Sequence, residues 1–212
     1  NEINKESKAG KILLFNDILL LKPDLVKVLT VDVIKDIKNF LGENVKLDNV
    51  YLGIFFTKKH KSLSNNSGLF HHDSVGHRIK LFAPINPSGT INSPTIYVKE
   101  TNQIKWDNSI FNENYKDSRL ENIVKNNFSR KQISIGTLFG DIYMFDTNGI
   151  HKGSYNNSNE TRCIIQFEFS RYKSLLRGKV GPGTFYMHKK AYDYLNNYEL
   201  LRDHRIRFEN EE

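Results

Sequence analysis

The stretch QISIGTLFGDIYMFDTNGIHKGSYNNSNETRCIIQFEF, residues 132–169, decides the fold class of this chain. Its apolar runs are short and rich in isoleucine, phenylalanine and tyrosine, which are enriched in β-strands. The strands predicted from it are 132–138, 141–145, 149–151 and 162–169. Glycine and asparagine turns separate them, at Gly136, Gly140, 147–149 and 155–159. Short strands at such close spacing predict an all-β sandwich or barrel.

The sequence before this stretch adds further strands and one insertion. Strands are predicted at 51–56, 69–73, 79–85 and 95–98, with a turn at Gly76. Residues 99–130 are rich in Asn, Lys, Asp and Glu, so we interpret them as an insertion that carries a short helix at 119–125. We expect the basic loop 58–68 and this insertion to build the substrate pocket and its lid.

Helices are predicted at both ends of the chain. Between residues 25 and 41, apolar residues recur at spacings of three and four, the period of an amphipathic helix. Asp24 is the expected N-cap of this helix and Gly42 its expected end. Residues 187–201 are predicted to form another helix, whereas the pattern over 12–21 fits either a strand pair or a helix. We expect a single domain over residues 1–212, with these helices flanking the β core.

Composition restricts the partners and the compartment. Of the 212 residues, 38% are hydrophobic and 12% are aromatic, which is enough for a packed core. The net charge is +7, but Lys and Arg are scattered, which disfavours a nucleic-acid surface and favours an anionic small-molecule substrate. The single cysteine, Cys163, excludes an intramolecular disulfide and is typical of a reducing, cytoplasmic compartment. No apolar run approaches the roughly 20 residues that span a bilayer.

The motif that carries chemistry is His71-His72-Asp73. In a strand, residues i and i+2 project to the same side, so His71 and Asp73 present an imidazole and a carboxylate together while His72 points away. If His151 lies beside this pair, the three side chains form a facial triad, which leaves coordination positions open and is typical of non-haem iron(II) oxygenases. A structural zinc site would need four ligands, usually cysteines, although a three-ligand catalytic zinc site stays compatible with these residue types.

Arg162 stands eleven residues after His151, at the start of the predicted strand 162–169. A barrel interior admits an arginine only beside an anionic partner. A carboxylate that accepts two hydrogen bonds is the natural partner of a guanidinium. Arg162 is therefore predicted to bind an organic acid, and a structural salt bridge is the alternative.

Three segments, FHHDSVGHRIKLF (70–82), SPTIYV (93–98) and GDIYMFDTNGIHKG (140–153), are followed by Arg162. Together they resemble the phytanoyl-CoA dioxygenase family of Fe(II)/2-oxoglutarate oxygenases, over residues 50 to 170. The resemblance implies a mainly β fold with flanking helices, whose core is a double-stranded β-helix, or jelly roll. It implies that His71, Asp73 and His151 bind Fe(II) and that Arg162 binds the distal carboxylate of 2-oxoglutarate. With O2 as oxidant, the implied activity hydroxylates an unactivated C–H bond of a small molecule and releases succinate and CO2.

Two departures from the family leave the second anchor for 2-oxoglutarate open. Members often carry Gly-Ser-His after the strand around Tyr97, where this chain has KETN at 99–102, and some carry a hydroxyl residue where it has Gly153. Lys80 and Tyr97 are the candidates for this anchor. Asp73 also bears on the outcome, because related halogenases have a small residue there so that chloride can bind. Its presence favours hydroxylation.

Several other residues and one other function stay as alternatives. Asp141 and Asp146 are rival carboxylates, although a turn role is favoured for both. Trp106 and Tyr115 either line the substrate pocket or anchor the insertion. The remaining histidines are interpreted as ordinary surface or core residues: His60, His72, His77, His188 and His204. The alternative function is a cupin-like jelly roll that binds or isomerises a sugar with a metal and has no need of Arg162.

Overall fold

The computed structural model of the chain describes residues 2–7, 10–15, 17–55, 68–73, 77–86, 94–105, 118–135, 140–153, 162–171, 185–201 and 206–208. The strands in these ranges are β1 (Glu2–Ser7), β2 (Gly10–Phe15), β3 (Val45–Phe55), β4 (Arg78–Pro84), β5 (Thr95–Val98), β6 (Gln132–Ile135), β7 (Tyr143–Asp146), β8 (His151–Gly153), β9 (Arg162–Arg171), β10 (Phe185–Met187) and β11 (Ile206–Phe208). The α-helices are α1 (Ile18–Leu21), α2 (Val31–Leu41), α3 (Ser118–Asn127) and α4 (Lys189–Asn197), and short 3-10 turns lie at Pro23–Val28, Thr101–Gln103 and Ser129–Lys131.

The larger sheet contains six strands in the order β1-β2-β3-β9-β4-β7, and all of its pairings are antiparallel. β9 lies at its centre and pairs with β3 on one side and β4 on the other. Because side chains alternate along a strand, Phe167 and Phe169 of β9 point to one face while Arg162, Gln166 and Glu168 point to the other. The two faces of this sheet therefore serve different purposes.

The outer, apolar face of the larger sheet carries the main hydrophobic core. Phe167 and Phe169 of β9 are fully buried there, with residues of β4 and of the helices. The apolar stripe of α2 packs against this face through Ile34, Ile37 and Leu41. Burial of this stripe, rather than helix propensity, stabilises α2 in the fold.

The smaller of the two antiparallel sheets has the order β6-β5-β8, and His71 extends it through an isolated antiparallel bridge to His151. A second apolar cluster supports this sheet and contains the buried residues Phe70, Val98, Val124 and Ile150. Val124 belongs to α3, so the helix of the insertion packs beneath the His71 segment. Two antiparallel sheets with helices outside them form a double-stranded β-helix, which confirms the predicted fold class.

The structure corrects the predicted start of the long helix. Asp24 does not cap it, because Pro23–Val28 is a 3-10 turn and the backbone of Leu29 and Thr30 then leaves the helical region. Thr30 is the true N-cap, and its side chain accepts a hydrogen bond from the Val33 amide at 3.4 Å. The helix ends at Gly42, as predicted, where φ is +95°.

Three strand predictions also change. β3 begins at Val45, six residues before the predicted start, and a bulge at Asp48 shifts its pairing register with β9. Because the bulge shifts the apolar alternation by one residue, the first half of this strand does not continue the period-two pattern by which a strand is predicted. The predicted strand 69–73 is only a bridge at His71, and 12–21 divides between β2 and α1.

The insertion forms its helix at Ser118–Asn127, as predicted. Trp106, Tyr115 and the loop 58–67 lie outside the described residues. Among the residues that the structure describes, no helix combines the length and the apolar character that a bilayer crossing requires.

Candidate metal centre

Two segments that are distant in sequence bring the triad together. The His71 amide donates to the His151 carbonyl at 3.0 Å, and the His151 amide donates to the His71 carbonyl at 2.8 Å. Two residues later, the Asp73 amide donates to the Thr147 carbonyl at 3.1 Å. These backbone bonds set the register of the two segments, so both imidazoles and the carboxylate project to the same point.

The three side chains form a compact group of metal-ligating atoms. Nε2 of His71 lies 3.5 Å from Oδ1 of Asp73, and Nε2 of His151 lies 3.6 Å from the same oxygen. One ligand atom of each residue lies within 4.8 Å of the others. Ligands that are adjacent around an octahedral ion, with bonds of about 2.1 Å, lie about 3 Å apart. The donor set therefore fits a divalent ion after small side-chain movements.

Backbone carbonyls orient both imidazoles. Nδ1 of His71 lies 2.6 Å from the Leu69 carbonyl, and Nδ1 of His151 lies 2.9 Å from the Gly149 carbonyl. A carbonyl accepts only, so each Nδ1 carries the proton and donates. Each Nε2 then presents its lone pair to the centre, which is the arrangement found around protein-bound metals.

Charge and burial prepare these groups in the form that binds a metal. Burial opposes the charged form of Asp73, but Lys80 and the two histidines outweigh it and hold the pKa of this carboxyl well below its usual range. Burial lowers the pKa of His151, and this effect exceeds the opposing attraction of Asp73. The carboxylate is thus ionised and the imidazole neutral, as metal coordination requires.

The turn between β7 and β8 holds His151 in place. Oδ1 of Asp146 accepts hydrogen bonds from the amides of Asn148, at 3.0 Å, and Arg78, at 3.2 Å. Its Oδ2 lies 2.5 Å from Nδ1 of His77. Asp146 therefore has the turn role that the sequence favoured. Asp141 is exposed, after Gly140 with its φ of +90°.

The segment KETN at 99–102 also supports this turn. The Thr101 hydroxyl donates to the Val98 carbonyl at 2.7 Å and accepts from the Ile150 amide at 2.8 Å. The side-chain amide of Asn148 donates to the carbonyl of Asn102 at 2.6 Å. Thr101 and Asn102 of this segment thus have a structural function next to His151.

Arg162 is buried on the inner face of β9, and its exposed fraction is 5%. Its guanidinium donates to the Tyr143 hydroxyl at 3.1 Å, and this hydroxyl lies 3.0 Å from Oγ1 of Thr95. Burial lowers the pKa of Arg162, against the opposing effect of Tyr143, although a guanidinium stays charged. The group is therefore a buried cation that contacts the Tyr143 hydroxyl of one sheet, which in turn contacts the Thr95 hydroxyl of the other.

Ring contacts connect Arg162 with the triad. His151 meets Phe145 edge to face, with ring centroids 5.1 Å apart, and Phe145 stacks on Tyr143 at 6.3 Å. Tyr143 then contacts Arg162 through its hydroxyl. The two groups thus share one interior, whose wall between them is aromatic.

The other residues considered from the sequence have mixed outcomes. Nζ of Lys80 lies 2.5 Å from Oδ2 of Asp73, whereas the Tyr97 hydroxyl donates to the Asp146 carbonyl at 3.2 Å. His188 caps α4, and His72 is buried. The sequence analysis did not predict that Tyr143 contacts Arg162. The alternation of side chains along β7 could have placed Tyr143 on the inner face, on the same side as Phe145.

No protein-family model and no curated protein sequence matches the chain. Among solved structures, it is similar to the non-haem alpha ketoglutarate dependent epimerase SnoN from nogalamycin biosynthesis, with 13% identity and a TM-score of 0.61 over 86% of this chain and 76% of that one. It is also similar to HygX from Streptomyces hygroscopicus, solved with nickel and 2-oxoglutarate bound, with 11% identity and a TM-score of 0.60 over 85% and 82%. The alpha ketoglutarate dependent carbocyclase SnoK shows 9% identity and a TM-score of 0.56 over 79% and 68%. At these identities, the similarity shows a common fold.

Proposed function

We propose that this chain is an Fe(II)/2-oxoglutarate-dependent oxygenase of the phytanoyl-CoA dioxygenase type. In the proposed reaction, a substrate C–H group, O2 and 2-oxoglutarate give an alcohol, succinate and CO2. One observation carries the proposal: His71, Asp73 and His151 meet inside a jelly roll whose interior also buries Arg162. The fold shared with SnoN and HygX supports it, since the first is described as alpha ketoglutarate dependent and the second was solved with 2-oxoglutarate.

The residues of the centre take separate roles in this proposal. His71, Asp73 and His151 hold Fe(II) through Nε2, a carboxylate oxygen and Nε2, and three protein ligands leave positions open. Arg162 binds the distal carboxylate of 2-oxoglutarate, because a buried guanidinium is the strongest available partner for a carboxylate. Tyr143 orients the guanidinium by accepting one of its hydrogen bonds.

Bound iron with 2-oxoglutarate would supply the oxidising chemistry, and the protein supplies orientation and a dry site. Phe145 and Tyr143 form the aromatic wall between Arg162 and the triad. Asp73 occupies the position where a halogenase would need room for chloride. We therefore propose hydroxylation as the outcome, rather than halogenation.

We further propose a small-molecule substrate, favoured to be anionic by the net charge of +7. Similar structures hold bound small molecules, which supports this choice: SnoN was solved with nogalamycin RO and HygX with hygromycin B. A single domain and a cytoplasmic location complete the proposal, the latter on the ground of the lone cysteine.

The test is anaerobic titration of the purified chain with Fe(II) and then 2-oxoglutarate, followed by succinate release in air without a primary substrate. We expect wild type to bind both and to turn over slowly. His71→Ala and His151→Ala should lose the metal, whereas Arg162→Met should keep the metal and bind 2-oxoglutarate about 100-fold more weakly, because a buried charge pair contributes about 2–5 kcal/mol.

His188→Asn is the matched control, because it removes a histidine outside the centre while asparagine still caps α4. This variant should behave like wild type. If His71→Ala kept 2-oxoglutarate turnover, the ligand assignment would be wrong. Metal binding without any 2-oxoglutarate turnover would instead favour the cupin-like sugar-binding or isomerase alternative.

A further inference from the structure

The two oxygens of Asp73 face different partners. Oδ1 lies between the two imidazoles, 3.5 Å and 3.6 Å from their Nε2 atoms. Oδ2 lies 2.5 Å from Nζ of Lys80. The carboxylate is thus divided between the metal-binding side and a buried ammonium.

Lys80 reaches this position from the inner face of β4. It stands directly opposite Phe145 of β7 and Glu168 of β9 in the two antiparallel pairings of β4. Its side chain is 16% exposed, and Nζ also lies 3.7 Å from Oε1 of Glu168. A lysine so nearly enclosed keeps its charge only beside acidic groups, and Asp73 and Glu168 are two such neighbours of Lys80.

Glu168 is itself held from two sides. Arg78 pairs with its Oε2, and the side-chain amide of Gln166 donates to its Oε1 at 2.6 Å. Arg78, Gln166 and Glu168 all lie on the inner faces of β4 and β9, so the sheet register sets their contacts. This support leaves Lys80 little freedom to move away from Asp73.

A carboxylate with one oxygen bonded to an ammonium can offer only the other oxygen to a metal. A carboxylate with both oxygens available can occupy two coordination positions. In an octahedral site, two histidines, a monodentate carboxylate and a bidentate keto acid would leave one position open, whereas a bidentate carboxylate would leave none. The partner of Oδ2 therefore decides whether a further ligand can bind.

We propose that Lys80 is a positioning residue that keeps Oδ2 of Asp73 away from the metal, so that this carboxylate coordinates through Oδ1 alone. Glu168 keeps Lys80 in place. The inference rests on the proposed function and adds a residue to it. It also gives Lys80 a role different from that of an anchor for 2-oxoglutarate.

The experiment uses nitric oxide, a neutral probe whose binding does not depend on the charge of residue 80. The Fe(II) and 2-oxoglutarate complex of each variant is titrated with nitric oxide anaerobically and followed by electron paramagnetic resonance. Lys80→Met should bind Fe(II) about tenfold more tightly, since a cation next to the ion is lost. It should bind nitric oxide about tenfold more weakly, because the released Oδ2 of Asp73 would compete for the open position. Lys80→Arg, which keeps both charge and donors, should restore both values.

A higher affinity for Fe(II) together with a lower affinity for nitric oxide distinguishes a positioning role from a general loss of structure. If Lys80→Met weakened Fe(II) and nitric oxide together with a lower melting temperature, Lys80 would have only a structural role. Equal nitric oxide binding in Lys80→Met and wild type would also overturn the inference. Should Lys80→Met fail to fold, the double variant Lys80→Met with Glu168→Gln removes both charges and is held to the same expectation. Failure of wild type to bind Fe(II) and 2-oxoglutarate would refute the proposed function itself, and the role of Lys80 with it.

Discussion

Gly149 lies where a side chain would collide with Tyr97. A Cβ atom built on Gly149 would lie 2.1 Å from the Tyr97 hydroxyl oxygen, 2.5 Å from Cζ and 2.9 Å from Cε2. All three distances are far shorter than van der Waals contact. Tyr97 cannot rotate freely, because its hydroxyl donates to the Asp146 carbonyl and its ring contacts Phe145. Gly149→Ala must therefore displace either the phenol or the turn that carries His151.

The expected cost follows from these contacts. Forcing an extra methyl group into a packed site costs about 1–3 kcal/mol, and the loss of the Tyr97 hydrogen bond adds about 1 kcal/mol. Alanine also reduces the conformational freedom of the unfolded chain, which offsets this loss of stability by about 0.4–1 kcal/mol. We expect a loss of about 2–3 kcal/mol in the free energy of unfolding, or about 5–10 °C in melting temperature for a chain of this size. Because the Gly149 carbonyl orients His151, metal affinity should fall as well.

The assay is urea unfolding of four chains: wild type, Gly149→Ala, Tyr97→Leu and the double variant. Removal of the phenol removes the collision, so the double variant should be more stable than the sum of the single losses predicts. Gly140→Ala is the comparison variant, since its Cβ would meet no atom within 4 Å and only its φ of +90° opposes the change. Its loss should be about 1 kcal/mol and should add to that of Tyr97→Leu. Strict additivity for Gly149→Ala would refute the reasoning.

Three further predictions follow from single contacts. Tyr143→Phe removes the hydroxyl that holds Arg162, so the affinity for 2-oxoglutarate measured by titration should fall about fivefold to tenfold while metal binding is retained. Thr101→Val leaves the Ile150 amide and the Val98 carbonyl buried without their partner, and urea unfolding should show a loss of about 2–3 kcal/mol. Burial raises the pKa of the Cys163 thiol, so less thiolate is present at pH 8 than in the unfolded chain. Alkylation followed by mass spectrometry should therefore be slower for the folded protein and should accelerate only at higher pH; equal rates would contradict this environment for the thiol.

Predictions from local patterns were the most successful. The alternation of side chains along an extended segment placed His71 and Asp73 on one side, and the structure has both side chains facing the same centre. The turn residues at 147–149 predicted the break between β7 and β8. Such features depend on a few neighbouring residues, so the sequence carries them directly.

Errors arose where distant pairing overrides a local pattern. The bulge at Asp48 exists because β3 must match β9 on both sides of it, and it hides the first half of β3 from a period-two reading. The segment around His71 has a strand-like sequence, but it meets His151 through a single bridge. In both cases the partner strand, and not the segment itself, sets the outcome.

For several residues around the metal centre, strand pairing and not the local sequence pattern also determines the contacts. Tyr143 and Glu168 have no motif of their own, and each gains its role from the strand that lies opposite. Lys80 was only one of two candidates for an anchor, and its contact with Asp73 follows from the pairing of β4 with β7 and β9. The contact between Arg78 and Glu168 joins residues that are 90 positions apart, so no spacing rule reveals it.

The sequence by itself determined the mainly β class, the candidate ligands His71, Asp73 and His151, and the candidate carboxylate partner Arg162. Only the tertiary structure decided that the imidazole of His151 meets the other two, that Tyr143 holds Arg162, and that Lys80 takes the second oxygen of Asp73. The physical reason is that alternation and turn chemistry act over a few residues, whereas strand register is set by burial of whole sheet faces. A shift of one residue in that register would turn every one of these side chains to the opposite face.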